Sequence, residues 1–533
     1  MLRILLLFFF AAMNIDIIAL LVSANPRIMT KLAHSYLPSI NTTIVSSLLL
    51  RCVSVVYFLA FLSALPQIAG LCGDGDKKEE ESFALIPISN SLRSFKSFAK
   101  GKPGGKFKVK GVRWLMQELR KFLSDRTYIS AVTVKASLYL VDIMSLTRVC
   151  QLGIVVSSVC IIVPISLGFV YIYLAYYILK LSMGPFFNLQ WDALILEAGV
   201  LSVLLAASAA NTLKLVVLSL FQLLLFRLMF GSGVVKYYAA DSSWRDLTAM
   251  QYHFLTQPLP ASIAKTFHQL HPVVLKFFTF GALLHELPIP ILSIFPYFRP
   301  FVFILYALFQ MNIMMTGRFG FFNLLSMVLG ISLLRDNHIQ IITTEYMYGM
   351  LQTFTSFPFA NVYVFFMNTI IPRKYRTLYA IIVEAGETVV DVTVALLSMF
   401  VLLSSLVAVK NLCNRMKSKE GTSISTTLGS PKLESSKQAS EREERSKAAL
   451  FSYAESVHSS LSTMYIGCHY GLFANMTKHR DEVIVEVNFD GENVNDDDKW
   501  IQVDFKYKPG SELKGSIKNQ TFPLFHMPRY LRL

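Results

Sequence analysis

Ionisable side chains set in long apolar runs are the residues of this chain whose placement most demands a chemical reason. Between Gly184 and Pro260 the sequence carries Asp192, Glu197, Arg227, Lys236, Arg245, Asp246 and His253 in or beside segments apolar enough for lipid. There an ionised side chain costs roughly 2.5–3.5 kcal/mol unless something compensates it. If residues 193–210 and 213–230 are two helices joined at Asn211-Thr212, Glu197 lies fourteen residues before the turn and Arg227 fifteen after it. Opposite charges then meet at matched depth, and the spacing predicts an intramembrane Glu197–Arg227 ion pair. On that reading, neutralising either residue lowers protein yield and reversing both charges restores it.

The loop after the second helix, SSWRDLTAMQYHFLTQPLP, supplies a second set: Trp244, Arg245, Asp246, Tyr252, His253, Phe254, Gln257 and Pro258. These are expected to form a client-facing or loop-organising surface. Lys236, Asp246 and His253 have acid–base capacity, which leaves open an integral-membrane transferase or carboxylase-like enzyme. Lys236 and His253 are seventeen residues apart, however, and that spacing is not diagnostic of a site. A transport path through Asp192, Glu197 and Arg227 would call for an internal repeat, and none is evident. His285-Glu286 has no second histidine four residues on and reads as a buried structural pair. The six cysteines follow no metal-ligand spacing, so neither a metal nor a cofactor is expected.

The elements that position these residues are helices in a bilayer. With 53% hydrophobic and 16% charged residues over 533 positions, the chain is too apolar for a soluble protein, and it reads as mainly α, a polytopic transmembrane bundle of about eight or nine spans. Residues 1–24 form a signal peptide or first anchor, which puts residue 30 on the lumenal side. The transmembrane region covers 46–410, with apolar segments near 46–70, 152–180, 193–210, 213–230, 273–295, 299–316, 319–334 and 381–410. Alternate counting makes the loops 184–192 and 231–272 lumenal and the basic loop 93–126 cytoplasmic. That loop holds eleven Lys and Arg against Glu118 and Asp125, more than half of the net charge of +15. In a membrane protein such charge is first a topology and lipid signal, and no nucleic-acid motif accompanies it.

Residues 411–449, rich in Ser, Lys and Glu, read as a flexible linker. Beyond them 450–533 is expected to be a small lumenal β-rich domain, with strands at EVIVEVNFD (482–490) and WIQVDFKY (500–507). Asn41, Asn475 and Asn519 each open a glycosylation sequon.

FNLQWDALILEAGVL, FRLMFGSGVVK, WRDLTAMQYHFLTQPLP, TGRFGFFNLLSMV and, in the tail, YGLFANMT, VIVEVNFDG and HMPRYLRL resemble the signature blocks of the lipase maturation factor family, in the family's order. The resemblance implies a membrane factor of the endoplasmic reticulum rather than an enzyme, with secreted dimeric lipases as clients in the lumen and membrane lipid as its other partner. It also departs from the alternate count, since the family is drawn with fewer spans and with the loop after its first segment in the lumen. An aromatic-rich ending is expected beyond the last block and is not among these residues.

Overall fold

A computed structural model describes residues 42–72, 146–343 apart from 240, 258 and 262, residues 347 and 349, 376–420, 455–479, and the pairs 486–487 and 501–502. The helices are α1 (Thr43–Cys72), α2 (Leu146–Ile162), α3 (Ser166–Ser182), α4 (Gln190–Ala207), α5 (Asn211–Tyr238), α6 (Met250–Thr256), α7 (Ala264–His268), α8 (Pro272–Glu286), α9 (Pro288–Leu292), α10 (Arg299–Thr316), α11 (Phe322–Gly330), α12 (Asp336–Ile342) and α13 (Arg376–Glu420). The chain is mainly α and a polytopic membrane protein. Among the described residues six helical stretches are long and apolar enough to cross a bilayer: Thr43–Ile68, Gln190–Ala207, Asn211–Tyr238, Pro272–Leu292, Pro296–Thr316 and Thr388–Asn411. Helices α2, α3 and Phe322–Leu333 are shorter apolar ones. Lipid offers the backbone no hydrogen-bond partner, so apolar runs of this length close their own ladders as helices.

Residues 152–180, expected as one segment, are two helices. The last carbonyl bond of α2 runs from Val163 N to Val159 O at 2.7 Å, Pro164 has no N–H to continue it, and Ile165 is extended at φ −97° and ψ 132°. Residues before a proline resist the helical conformation, and here the chain reverses. Arg51 of α1 closes the break by donating to the carbonyls of Ile161 at 2.8 Å and Ile162 at 2.5 Å, a cation on the negative end of α2. At the start of α1, the Asp336 carboxylate accepts from Ile44 N at 3.1 Å and Val45 N at 2.9 Å, an anion on a positive end.

The extra reversal shifts the alternate count. Thr42 donates to Asn211 Oδ1, Ser166 Oγ approaches Val203 O, and Ala209 N donates to Asp391, which places the starts of α1, α3 and α5 at one end of the bundle with Asp336. At the other end Gln190 meets Gly471, Trp191 meets Phe322, Pro260 bridges Gly317, and Ser404 meets Ile466. Cys150 near Phe61 shows that α2 descends from that same second end, so the helices flanking 73–145 enter and leave it there. The basic loop 93–126 lies outside the described residues. Asn41 and Asn519 also lie outside the described residues, whereas Thr42 is at the first end and Asn475, exposed, at the second.

The core between the ends is aromatic. Tyr57 donates to Ile195 O at 2.8 Å and packs with Phe61 and Tyr176, which in turn meets Phe187 and Phe321. A Cβ at Gly199 would lie 2.1 Å from the Tyr57 hydroxyl, so this position needs glycine for the close approach. Helix α13 continues to Glu420, ten residues into the stretch expected as linker, and the remainder of 411–449 lies outside the described residues. Residues 455–479 are helix and turns packed on the bundle. Of the expected strands, Glu486–Val487 (β1) pairs antiparallel with Ile501–Gln502 (β2), and the rest of 480–533 is not described.

This arrangement predicts that Asn41 and Asn475 are not both glycosylated. Single Asn→Gln substitutions followed by glycosidase treatment should change mobility for one of the two; a shift for both would contradict the end assignment.

Candidate functional site

The site is built around Glu197, seven residues into α4 and so about 10 Å below its start. Its side chain is 1% exposed and accepts from Arg227 Nη2 of α5, from Gly467 N at 2.9 Å and from the Tyr470 hydroxyl at 2.7 Å. Arg227 also donates through Nη1 to Cys468 O at 3.2 Å. The two charges predicted to meet do meet, and sequence reasoning missed what covers them: a non-helical stretch of the tail. Gly467 has φ +74°, and a Cβ there would lie 2.3 Å from Ser404 Oγ, so only glycine brings this backbone N–H onto the carboxylate. Irregular backbone at this depth is tolerated because it is buried in protein and its polar groups are taken up.

A second buried pair lies at the tail's next turn. Lys236, 2% exposed, donates to both oxygens of Glu286 at 2.7 and 2.5 Å. Its ammonium sits 5.0 Å from the Trp244 ring and 5.9 Å from that of Phe473. His285 and Glu286, read as a pair, are not paired with each other. Successive helical residues point about 100° apart, and His285 turns to Gly281 O at 2.8 Å and stacks on Phe309 at 4.8 Å.

The 241–257 loop is folded over Lys236. Trp244 is buried and donates Nε1 to Phe473 O at 3.0 Å. Asp241 accepts from Ser243 N at 3.0 Å, Ser243 Oγ at 2.9 Å and Met476 N at 2.7 Å. Partial burial pushes the Asp241 pKa up, but the hydrogen bonds from Ser243 and Met476, with the Lys478 charge, hold it below the usual carboxylate value. Leu247 is in the left-handed region at φ 58°, costly for leucine, and is held there by Thr248 N and Ala249 N donating to Ser243 O at 2.8 and 3.0 Å. His253 is buried edge-on to Phe473 at 5.6 Å, and Phe254 packs with Phe267 at 5.5 Å. Gln257 donates to Phe254 O at 3.0 Å and Thr316 O at 2.8 Å, tying the loop to the end of α10. Tyr252 is half-buried with Lys478 5.7 Å from its ring, Arg245 and Asp246 are exposed, and Pro258 lies outside the described residues.

The acid–base set of the enzyme reading is thus divided. Lys236 is engaged by Glu286, Asp246 is at the surface, and His253 faces aromatic rings. Burial first, then the Lys236 charge, lowers the His253 pKa to about 4. Asp192 accepts from the Tyr176 hydroxyl at 2.7 Å and Leu189 N at 3.2 Å, roles that anchor α4 rather than line a path. Among the described residues no three His, Cys, Asp or Glu side chains gather into a group fit for a metal.

Helices α1 to α12, with both buried pairs and the loop, fall almost wholly within residues 44–341, and over that range the sequence matches the Lipase maturation factor transmembrane domain. The chain belongs to the lipase maturation factor family. It is 37% identical over 209 residues to Lipase maturation factor 2 of Xenopus tropicalis, covering 37% of this chain and 30% of the relative. It is 27% identical over 523 residues to Lipase maturation factor 2 of Mus musculus, covering 88% of the chain and 69% of the relative. Lipase maturation factor 1 of Mus musculus is 27% identical over 290 residues, 52% of the chain and 46% of the relative. The alignments span under a third of the frog relatives' length. No solved structure matches. Family membership together with the apolar helices makes this a multi-pass protein of the endoplasmic reticulum membrane. The tail residues that cover Glu197 lie beyond the range of the family match.

Two outcomes follow. Three different donors converge on the Glu197 carboxylate, so the pair is directional: an arginine at 197 would face Gly467 N–H and the Tyr470 hydroxyl. Glu197→Arg/Arg227→Glu should therefore fail to restore the yield lost in either single variant, against the simple pair expectation. Tyr470→Phe should destabilise by about 1–3 kcal/mol. Full recovery by the double reversal would remove the tail from the account.

The second concerns pH. His253 has a folded pKa of about 4, below its ordinary 6.5, so the unfolded chain binds the proton first on acidification. Its stabilising contribution is complete above about pH 6.5 and is lost progressively as pH falls toward 4. The unfolding midpoint of the purified protein should drop between pH 7 and 5, and His253→Phe should flatten that drop. An unchanged slope in the variant would assign the sensitivity elsewhere.

Proposed function

We propose that this chain assists the maturation of secreted dimeric lipases in the lumen of the endoplasmic reticulum, as a folding or assembly factor and not as an enzyme. The observation that carries the reading is the family match over 44–341, which encloses the loop 241–257 and both buried ion pairs. The second end of the bundle, carrying that loop and the tail, faces the lumen. Nine traverses by α1 to α5, α8 with α9, α10, α11 and α13 then run from a cytoplasmic Thr42 to a lumenal tail. Helix α13 begins with Arg376 on the cytoplasmic side, in keeping with the retention of positive charge in short cytoplasmic segments, whereas long loops are translocated largely regardless of their charge.

Within the loop the roles divide by burial. Trp244, His253, Phe254 and Gln257 organise it from beneath, and Arg245, Asp246 and the half-buried Tyr252 present it to the client. Among the described residues the acid–base set of the transferase or carboxylase-like reading is not brought together.

The test is secreted activity of a dimeric lipase, per unit of lipase protein, in cells lacking their own maturation factor. The chain should restore it. Arg245→Ala/Asp246→Ala should reduce the rescue several-fold at unchanged levels of the factor, whereas Trp244→Ala should lower the level of the factor itself. Absence of rescue by the well-expressed wild-type chain would overturn the client class.

A further inference from the structure

Exposed apolar residues on a membrane helix need only lipid, whereas an exposed amide in the same place needs a partner. On the outside of the bundle α10 presents Phe301, Ile304, Leu308, Met311 and Met315, at alternating spacings of three and four. That spacing is the seam along which helices pair. Beside it stands Asn312, exposed, and among the described residues its side-chain amide makes no hydrogen bond.

The depth of Asn312 follows from the neighbouring helix. The stacked rings of His285 and Phe309 fix one level in α8 and α10, which run in opposite directions. From that level toward the second end, Lys276 stands about 13 Å up α8 and Asn312 about 4 Å up α10. Toward the first end, Tyr297 stands about 18 Å away. Lys276 and Tyr297 are both exposed and of the types that anchor at bilayer surfaces, and their separation of about 30 Å is the thickness of the hydrocarbon layer. Asn312 is therefore about 9 Å inside that layer.

His285 is a second polar group at this face. Its Nδ1 is 2.8 Å from Gly281 O, and a carbonyl only accepts, so Nδ1 carries the proton and Nε2 of the neutral ring is an acceptor. The ring is half-buried, and among the described residues it makes no further hydrogen bond.

We propose that the outer face of α8 and α10 is the interface at which two copies of this chain pair within the membrane, with their Asn312 amides joined across a two-fold axis. Both copies have one orientation in the bilayer, so the axis lies along the membrane normal and each residue meets its counterpart at its own depth. An amide suits that symmetry, because it carries donors and an acceptor together. Two Asn312 side chains satisfy each other, and His285 Nε2, about 4 Å deeper, can take a remaining amide proton. A second copy brings complementary polar groups to this depth by symmetry alone. The pair sets two 241–257 loops on the same side of the membrane.

The test uses the full chain with no lipase present, so it stands or falls apart from the proposed maturation role. Sedimentation equilibrium in a density-matched non-ionic detergent measures self-association. In liposomes at low protein density, copper-phenanthroline oxidation of Leu308→Cys reads contact between copies, with the wild-type chain as baseline for the native cysteines. Wild type should sediment as a dimer in equilibrium with monomer. Leu308→Cys should cross-link, and Leu396→Cys, exposed on α13, should not. Asn312→Leu should weaken dimerisation roughly three- to tenfold and leave the unfolding temperature of the monomer unchanged, and Asn312→Gln, which keeps the amide, should recover most of the loss. A wild type that stays monomeric in both assays overturns the proposal and leaves the face to lipid. So does a dimer equally stable with Asn312→Leu, or cross-linking at Leu396 in place of Leu308. A lower unfolding temperature for monomeric Asn312→Leu would assign the amide to a contact within one chain and overturn it too.

Discussion

A carboxylate buried among membrane helices needs its charge and both oxygens satisfied, and in this protein that requirement is met from three parts of the chain. Arg227 brings the opposite charge from the neighbouring helix, and Gly467 and Tyr470 bring an N–H and a hydroxyl from more than 250 residues away in sequence. A buried pair broken at one partner costs about 3–5 kcal/mol, because the remaining charge is stranded. The tail therefore belongs to the membrane bundle energetically as well as spatially.

The same tail then runs from one charged centre to the next. Leu472 N approaches Ser232 Oγ, the Phe473 ring caps Lys236 and its carbonyl receives the Trp244 N–H, and Met476 N reaches Asp241. Each of these contacts fixes a residue of the 241–257 loop or of the α5 end that supports it. The exposed Arg245 and Asp246 are thus held by a loop whose underside is shared with the C-terminal segment. A change at Glu197 has a path to the loop surface through contiguous packed groups.

Much of this was legible in the sequence because lipid enforces simple rules. Glu197 and Arg227 could be paired from matched distances to one turn, and α1, α4, α5, α10 and α11 from apolar length. The break inside 152–180 was harder: a proline in an apolar run is compatible with one kinked helix, and only Arg51 taking up the freed carbonyls decides for a reversal. That one reversal puts the start of α1 and the start of α2 at opposite ends of the bundle. Lys236 and Glu286 were each noticed, yet their pairing spans fifty residues and no local spacing marks it. The signal that could have found it is negative: residues 247–285 contain no acidic residue at all, so Glu286 is the next carboxylate available to Lys236 after the loop. The role of 464–476 left no periodic trace, since its contacts are made by single backbone groups.

The most direct measurement is hydrogen exchange of the tail amides in the full-length protein. If residues 464–476 are docked on the Glu197–Arg227 pair, peptides from this stretch should exchange slowly, as the bundle helices do, and Glu197→Gln should accelerate them selectively. Rapid exchange of the same peptides in the wild-type protein, indistinguishable from an unfolded reference, would contradict the account.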